Sequence, residues 1–244
     1  MNKIIIIPAR MGSSRFPGKP LKRIKGISMI ERVYKNSSVS ELVTTTYVAT
    51  CDKEIYRHVK EFGGNVVMTS KKHKRASDRC AEALLKIEKN LKKKFDIILM
   101  IQGDEPMVNK NMIKQVLSPF AKDKNVKVVN LIYKFASIKE AKNPNTIKVV
   151  KDNKNNAIYF TRSLIPYNTI KNRNQFFKQV CLIPFKRNFL LKYIKMKPTI
   201  LEIKESIDML RILEHGYDVK LVETKHFTHA VDNLKDLKVV EKYI

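Results

Sequence analysis

The strongest constraint on the fold is the run Lys3-Ile4-Ile5-Ile6-Ile7-Pro8-Ala9-Arg10. The loop that leaves it reads Met11-Gly12-Ser13-Ser14-Arg15-Phe16-Pro17-Gly18-Lys19-Pro20-Leu21. Four consecutive isoleucines make too short a run for a buried helix. Their β-branching suits a central parallel strand covered on both faces. Pro8 has no N–H to donate, so the ladder is expected to end there. A loop after a parallel strand lies at the carboxyl edge of the sheet, where α/β folds bind ligands. This loop sets Arg10, Arg15 and Lys19 among two glycines and two serines, a composition suited to a polyphosphate. It is not a Walker A loop, because Gly12 and Gly18 enclose five residues and Pro20 stands where Ser or Thr would hold magnesium. An ordinary surface turn with scattered charges is the competing reading.

Strands and helices then alternate. Thr44 to Thr50 and Val66-Val67-Met68 read as strands. Between them Asp52 is placed to cap a helix with Ile55, Val59 and Phe62 on its apolar face, closed by Gly63-Gly64. This alternation implies a parallel, doubly wound sheet. Ser77 is expected to cap the next helix, which puts Arg79 in its first turn, beside the positive end of the dipole. A bound anion or a base contact explains such a cation better than helix stability does. Asp96 to Ile101 is another buried strand, ending in Gln102-Gly103-Asp104-Glu105-Pro106. An acid pair at the same sheet edge as the basic loop is a natural magnesium site. Lys110 to Phe120 reads as a helix, and Thr146 to Lys151 with Ala157 to Arg162 as a hairpin. From Ser163 to about Phe185 the alternation breaks, and a lid or dimerisation arm at about 155–200 is expected within a single domain, 1–244. Helices over Ile207 to Glu214 and Leu234 to Tyr243 flank a strand at Val219 to Val222.

With 244 residues, 43% of them hydrophobic, the chain can bury a large core. No apolar run approaches the ~20 residues that span a bilayer. The chain enters a strand almost at once, so no signal peptide and no membrane partner are expected. Cys51, Cys80 and Cys181 have no C-x-x-C spacing, which favours a reducing cytosol over a disulfide frame or a zinc site. The net charge of +26 raises nucleic-acid binding. The lysines are dispersed, however, and no RNP-like or zinc-finger pattern accompanies them. The field suits attraction of an anionic small substrate better.

Several stretches together resemble one family. They are Ile7-Pro8-Ala9-Arg10 with Arg15-Phe16-Pro17-Gly18-Lys19-Pro20-Leu21, then Gln102-Gly103-Asp104-Glu105-Pro106, and Asn143-Pro144-Asn145 with Lys148-Val149-Val150. Tyr159-Phe160-Thr161-Arg162 with Ile165-Pro166, and Val231-Asp232 with Asp236-Leu237, also fit. The chain resembles the CMP-Kdo synthetases, the 3-deoxy-manno-octulosonate (Kdo) cytidylyltransferases of lipopolysaccharide synthesis, over almost its whole length. The resemblance implies a three-layer, Rossmann-like nucleotide-diphospho-sugar transferase fold with a mostly parallel sheet. It also implies a cytoplasmic homodimer that uses CTP and Mg2+. Arg10, Ser13, Arg15 and Lys19 would then hold the triphosphate, with Arg79 and Gln102 near the nucleotide. Asp104 and Asp232 would bind the metal. Lys19, Arg10 and Asp104 would carry the catalytic step, attack of a sugar-acid hydroxyl on the α-phosphorus with release of pyrophosphate.

Departures from the family pattern gather on the acceptor side, where Arg75, Arg162, Gln179, Glu202, Glu205 and Met209 would lie. Arg75 stands where a serine is usual, Gln179 where a histidine is, and Met209 where a glutamine is. Arg75 would add a cation able to meet an extra anionic group. An unpaired polar substrate group is expensive to bury, so these changes open the acceptor to another acidic sugar or a phosphonate besides Kdo.

Overall fold

A computed structural model describes residues 1–12, 16–167 and 176–244. In chain order the elements are β1 (Lys3–Ala9), β2 (Arg23–Ile24), β3 (Ile27–Ser28), α1 (Met29–Ser38), β4 (Thr45–Thr50), α2 (Lys53–Glu61) and β5 (Val66–Met68). There follow α3 (Ala76–Leu91), β6 (Ile97–Ile101), α4 (Lys110–Leu117), α5 (Pro119–Lys122), β7 (Val129–Lys134), α6 (Ile138–Ala141), β8 (Lys148–Lys151) and β9 (Ala157–Thr161). The last are β10 (Phe177–Val180), β11 (Leu182–Lys186), α7 (Arg187–Tyr193), α8 (Ile200–Glu205), α9 (Asp208–Glu214), β12 (Lys220–Thr224) and α10 (Leu234–Glu241).

One sheet runs β11-β6-β1-β4-β5, parallel throughout except for the edge strand β11. The isoleucine strand β1 lies at its centre with Ile4 to Ile7 all fully buried. Successive side chains of a strand point to opposite faces. Ile4 and Ile6 accordingly pack with Ala81, Leu84 and Ile87 of α3. Ile5 and Ile7 pack with Ile30 and Val33 of α1, Ile55 and Val59 of α2, and Met112 and Val116 of α4. From β1 the chain winds outward through β4 to β5, then returns through α3 to β6 on the other side of β1. The winding reverses between β1 and β6, so the crevice beyond their carboxyl ends is the topological switch point. Both the basic loop and Gln102-Gly103-Asp104 leave the sheet there. Gly103 passes so close that a β-carbon on it would lie 3.3 Å from the Pro8 carbonyl oxygen.

A second, mixed sheet runs β12-β7-β10-β8-β9, and a bridge between Val128 and Phe185 ties it to β11. Of the span expected to form an arm, β9, β10 and β11 are strands of the two sheets and α7 packs on the core. Residues 168–175 lie outside the described residues. The hairpin over β8 and β9 forms as expected.

Four local expectations change. Pro8 remains inside β1, in register with Ala49, while pairing with β6 stops at Ile6. A missing N–H interrupts only the ladder to which it would donate. Asp52 takes the N-cap position of α2 but makes no capping bond. Its Oδ2 instead accepts from the Met11 N–H at 2.9 Å, tying down the start of the basic loop. Arg75, not Ser77, is the N-cap residue of α3, and the expected 110–120 helix divides at Ser118 into α4 and α5.

The close passage at Gly103 yields a prediction. Gly103→Val is expected to lower unfolding free energy in urea by about 1–3 kcal/mol. Gly12→Ala, with nothing within 4 Å of the added carbon, is expected to change it by less than about 0.5 kcal/mol.

Candidate active site

The crevice at the switch point has two parts that share Lys74, Arg75, Ala76, Gln102 and Asp104. The first part is walled by Pro8, Ala9, Arg10 and Gly12 from β1 and its loop, by Lys19 and Pro20, and by His73, Lys74, Arg75, Ala76 and Arg79 before and within α3. Ser13 and Arg15 lie outside the described residues. At the centre Lys19 Nζ donates to Asp104 Oδ2 at 2.6 Å and to Asp232 Oδ1 at 3.1 Å. Burial works against the Lys19 charge, but Asp104 and then Asp232 outweigh it and raise its pKa above the ordinary lysine value. Asp104 follows β6, Asp232 precedes α10, and a backbone bond from Val231 N–H to the Asp104 carbonyl brings the two segments together. Among the described residues no third His, Cys, Asp or Glu joins these two as a metal ligand. Two carboxylates converging on one cation still fit magnesium, which takes one or two carboxylates together with substrate phosphates.

Glu105 is not the second metal acid. Its side chain is buried, accepting from the Cys181 N–H at 3.0 Å and from the Thr228 hydroxyl at 3.0 Å. Burial, and then the neighbouring charge of Asp104, push its carboxyl up to about 7. It is a buried brace that joins the ends of β6, β10 and the segment before α10.

Arg79 is 3% exposed. Its guanidinium folds back to the Thr69 hydroxyl and the Ser70 carbonyl, and its second terminal nitrogen is buried without a partner among the described residues. Arg79 and Gln102 both line this part of the crevice. His73, on the same wall, bonds Glu82. Burial opposes ionisation of Glu82, yet bonds from Lys86, the Ser70 N–H and His73 carry its pKa down to about 2. Sequence reasoning passed over this pair, because nothing in the spacing of His73 and Glu82 marks it.

The second part of the crevice reaches toward β8, β10 and α9. Gln179 lines it, with its side-chain N–H donating to Asn130 Oδ1 at 2.6 Å. Met209 also lines it, 1% exposed. Arg75 is not an unpaired cation. It bonds Asp208, and its other terminal nitrogen lies 2.9 Å from Glu202 Oε1. Glu202 is itself fully buried and doubly bonded to Arg211 at 2.7 Å each. Two guanidiniums thus face two carboxylates, and no net charge is left for an extra anionic group. Glu202 and Glu205 are not among the lining residues, so the structure brings neither to the crevice. Glu205 instead accepts from the Thr161 hydroxyl and the Arg162 N–H. Arg162 lines the crevice but directs its guanidinium at backbone carbonyls. His229, which sequence reasoning also missed, lines this part and pairs with Asp236 Oδ1 at 3.0 Å. Asp236 Oδ2 holds the backbone N–H of Asp232 at 2.9 Å.

The chain matches the Cytidylyltransferase family model over residues 4–226. It is 43% identical over 239 residues to a 3-deoxy-manno-octulosonate cytidylyltransferase of Fusobacterium nucleatum, spanning 98% of this chain and 95% of that one. A protein of the same description from Geobacter metallireducens is 39% identical over 249 residues, spanning 97% and 96%. The solved structure of CMP:2-keto-3-deoxy-manno-octonic acid synthetase complexed with CTP superposes with a TM-score of 0.89 at 33% identity, covering 100% of this chain and 98% of that one. A glucose-1-phosphate thymidylyltransferase from Bacillus anthracis, at 15% identity and a TM-score of 0.69 over 99% and 94% of the two chains, shares the fold.

The Glu82 cluster predicts a pH dependence. The folded-state pKa is depressed from 4.5 to about 2, so its contribution to stability is present above pH 4.5 and is lost as the pH falls toward about 2. Wild type is expected to exceed Glu82→Gln in urea-unfolding stability at pH 6, with the gap narrowing steadily below pH 4.5. A gap independent of pH would remove the charge from the explanation.

Proposed function

This chain belongs to the 3-deoxy-manno-octulosonate cytidylyltransferase family, and from that we infer that it transfers CMP from CTP to Kdo with release of pyrophosphate. The product serves cell-surface lipopolysaccharide synthesis. One observation carries the reading of the site. Lys19 stands between Asp104 and Asp232 at the switch point of the sheet, in a chain matched from end to end by these enzymes.

The reaction joins the acceptor hydroxyl oxygen to the α-phosphorus and breaks the bond from that phosphorus to the bridging oxygen of pyrophosphate. Positioning and charge neutralisation supply most of such catalysis. Arg10 and Lys19, with Ser13 and Arg15 of the same loop, hold the triphosphate. Lys19 meets the charge that grows on the leaving phosphates. The orphaned Arg79 nitrogen and Gln102 flank the base. Asp104 and Asp232 would hold Mg2+, which would supply neutralisation of phosphate charge. Gln179, and Asp208 clamped by Arg75, face the acceptor.

Kdo, rather than an extra-charged acid or a phosphonate, agrees with the neutralisation of Arg75 by Asp208 and Glu202. The +26 charge suits attraction of two anionic substrates to the crevice. No described helix is long and apolar enough to cross a membrane, and a cytoplasmic location follows the supply of CTP. A homodimer is supported by Ile158 at 60%, Ile200 at 69% and Ile203 at 64% exposure, apolar surface that suits a second copy.

Pyrophosphate release with CTP, Mg2+ and Kdo tests the reading, and a rate with UTP equal to that with CTP would contradict cytosine recognition. Lys19→Ala is expected to lower kcat by about 10²–10³, with a smaller effect on CTP binding. A raised KM at unchanged kcat would restrict Lys19 to ground-state phosphate binding. Asp104→Asn and Asp232→Asn are each expected to abolish most turnover while the protein stays folded. Normal turnover in either would take that residue out of the metal site.

A further inference from the structure

At the start of β8, beside the acceptor part of the crevice, Lys148 stands opposite Thr161, the last residue of β9, on one neighbour and Lys178 of β10 on the other. Lys148 is fully buried and does not line the crevice. Its Nζ donates to the carbonyls of Asn143 at 2.9 Å and Thr146 at 2.8 Å. Arg162, the residue after β9, donates to the carbonyls of Pro144 at 3.1 Å and Asn145 at 3.5 Å. Four successive carbonyls of one turn are therefore held by two cations. Arg162 is itself fixed, its Nε donating to the Glu205 carbonyl at 2.8 Å and its backbone N–H to the Glu205 carboxylate at 2.9 Å.

Asn143, Asn145 and Thr146 form the crevice wall in front of Lys148. Asn143, Pro144 and Asn145 are exposed, so no core packing fixes them. Among the described residues, the Thr146 N–H donates to the Asn143 carbonyl at 3.2 Å and the Asn145 N–H to Asn143 Oδ1 at 2.9 Å within the turn. Among the described residues Lys148 has no ion pair. A buried cation satisfied by carbonyls alone is expensive, and an apolar side chain would fill the same space at lower cost. Burial, and then Arg162 nearby, lower its pKa, with Glu205 pulling the other way. The cost is explained if the shape of the turn matters to the site. None of these residues belongs to the nucleotide part of the crevice.

We propose that Lys148, with Arg162 beside it, is a positioning residue for the acceptor, holding the 143–146 turn as the wall against which the sugar acid is placed. The proposal rests on the acceptor role given above to this part of the crevice. It assigns Lys148 no contact with substrate. A wall displaced by an ångström spoils alignment of the acceptor hydroxyl without disturbing CTP.

The test is steady-state kinetics and amide hydrogen exchange on wild type, Lys148→Met and Lys148→Arg. In Lys148→Met the KM for Kdo is expected to rise about tenfold or more, in keeping with the cost of misplacing a reactant, while the KM for CTP stays within about twofold. The amides of Asn145 and Thr146 are expected to exchange faster, and Lys148→Arg to recover much of both properties. An unchanged KM for Kdo, an equal rise in both KM values, or turn amides that exchange as in wild type would overturn the proposal. If Lys148→Met does not fold, Arg162→Gln reads the same split through Pro144 and Asn145. Failure of the wild type to use Kdo would instead overturn the functional reading, and the exchange comparison would still decide whether the clamp exists.

Discussion

The carboxylates of Asp104 and Asp232 meet on a single ammonium group, Nζ of Lys19. All three side chains are mostly buried, at 14%, 18% and 22% exposure for Lys19, Asp104 and Asp232. Removing one partner from a buried ion pair typically costs about 3–5 kcal/mol, so each carboxylate depends on the cation between them. The three residues come from the loop after β1, the loop after β6 and the segment before α10. Their meeting requires that β1 and β6 be neighbours and parallel, which the isoleucine strand secures by burying alternate side chains on two faces. It also requires the last quarter of the chain to return over the crevice. The bond from Val231 to the Asp104 carbonyl and the capping of Asp232 by Asp236 make that return.

Charge is treated differently on the two sides of this centre. On the nucleotide side, Arg10 is exposed and lines the crevice, and one buried Arg79 nitrogen has no described partner, so cationic capacity is left there. On the acceptor side almost every cation is already occupied. Arg75 is paired with Asp208 and Glu202, Lys178 with Glu140 and the Thr228 carbonyl, and Lys148 and Arg162 with a turn of backbone. Occupied cations shape a wall more than they attract charge. Discrimination among acidic sugars then rests on hydroxyl placement, with polar groups whose partners must be matched.

Local chemistry explains which features could be read from the sequence. The Ile4–Ile7 run, the loop glycines and the alternation of strands with helices each report a backbone requirement within a few residues. They were sufficient to expect an α/β sheet with its site after β1 and β6. Lys19 and Asp104 were each marked by their place after a central strand, but Asp232 and the meeting of all three were reached only through resemblance, because 85 and 213 residues separate Lys19 from its two partners. Glu105 looked identical in kind to Asp104, and only burial against Cys181 and Thr228 separates a brace from a ligand. Arg75 looked like an added charge because its partners are on α8 and α9, over a hundred positions away. Asp52 and Ser77 carried correct capping chemistry that tertiary partners took over, Met11 for one and Asp208 for the other. The second sheet escaped notice because its strands are short and pair mostly antiparallel around a segment without βα alternation.

If one position between Asp104 and Asp232 serves both the lysine and the metal, the two compete when no nucleotide is bound. The most direct measurement is the magnesium affinity of nucleotide-free protein, by calorimetry, in wild type and Lys19→Met. The account predicts tighter binding in Lys19→Met, since the metal no longer has the Lys19 ammonium to displace. Equal or weaker binding in the variant would contradict it, placing the metal away from Lys19 and leaving the ion pair as structure alone.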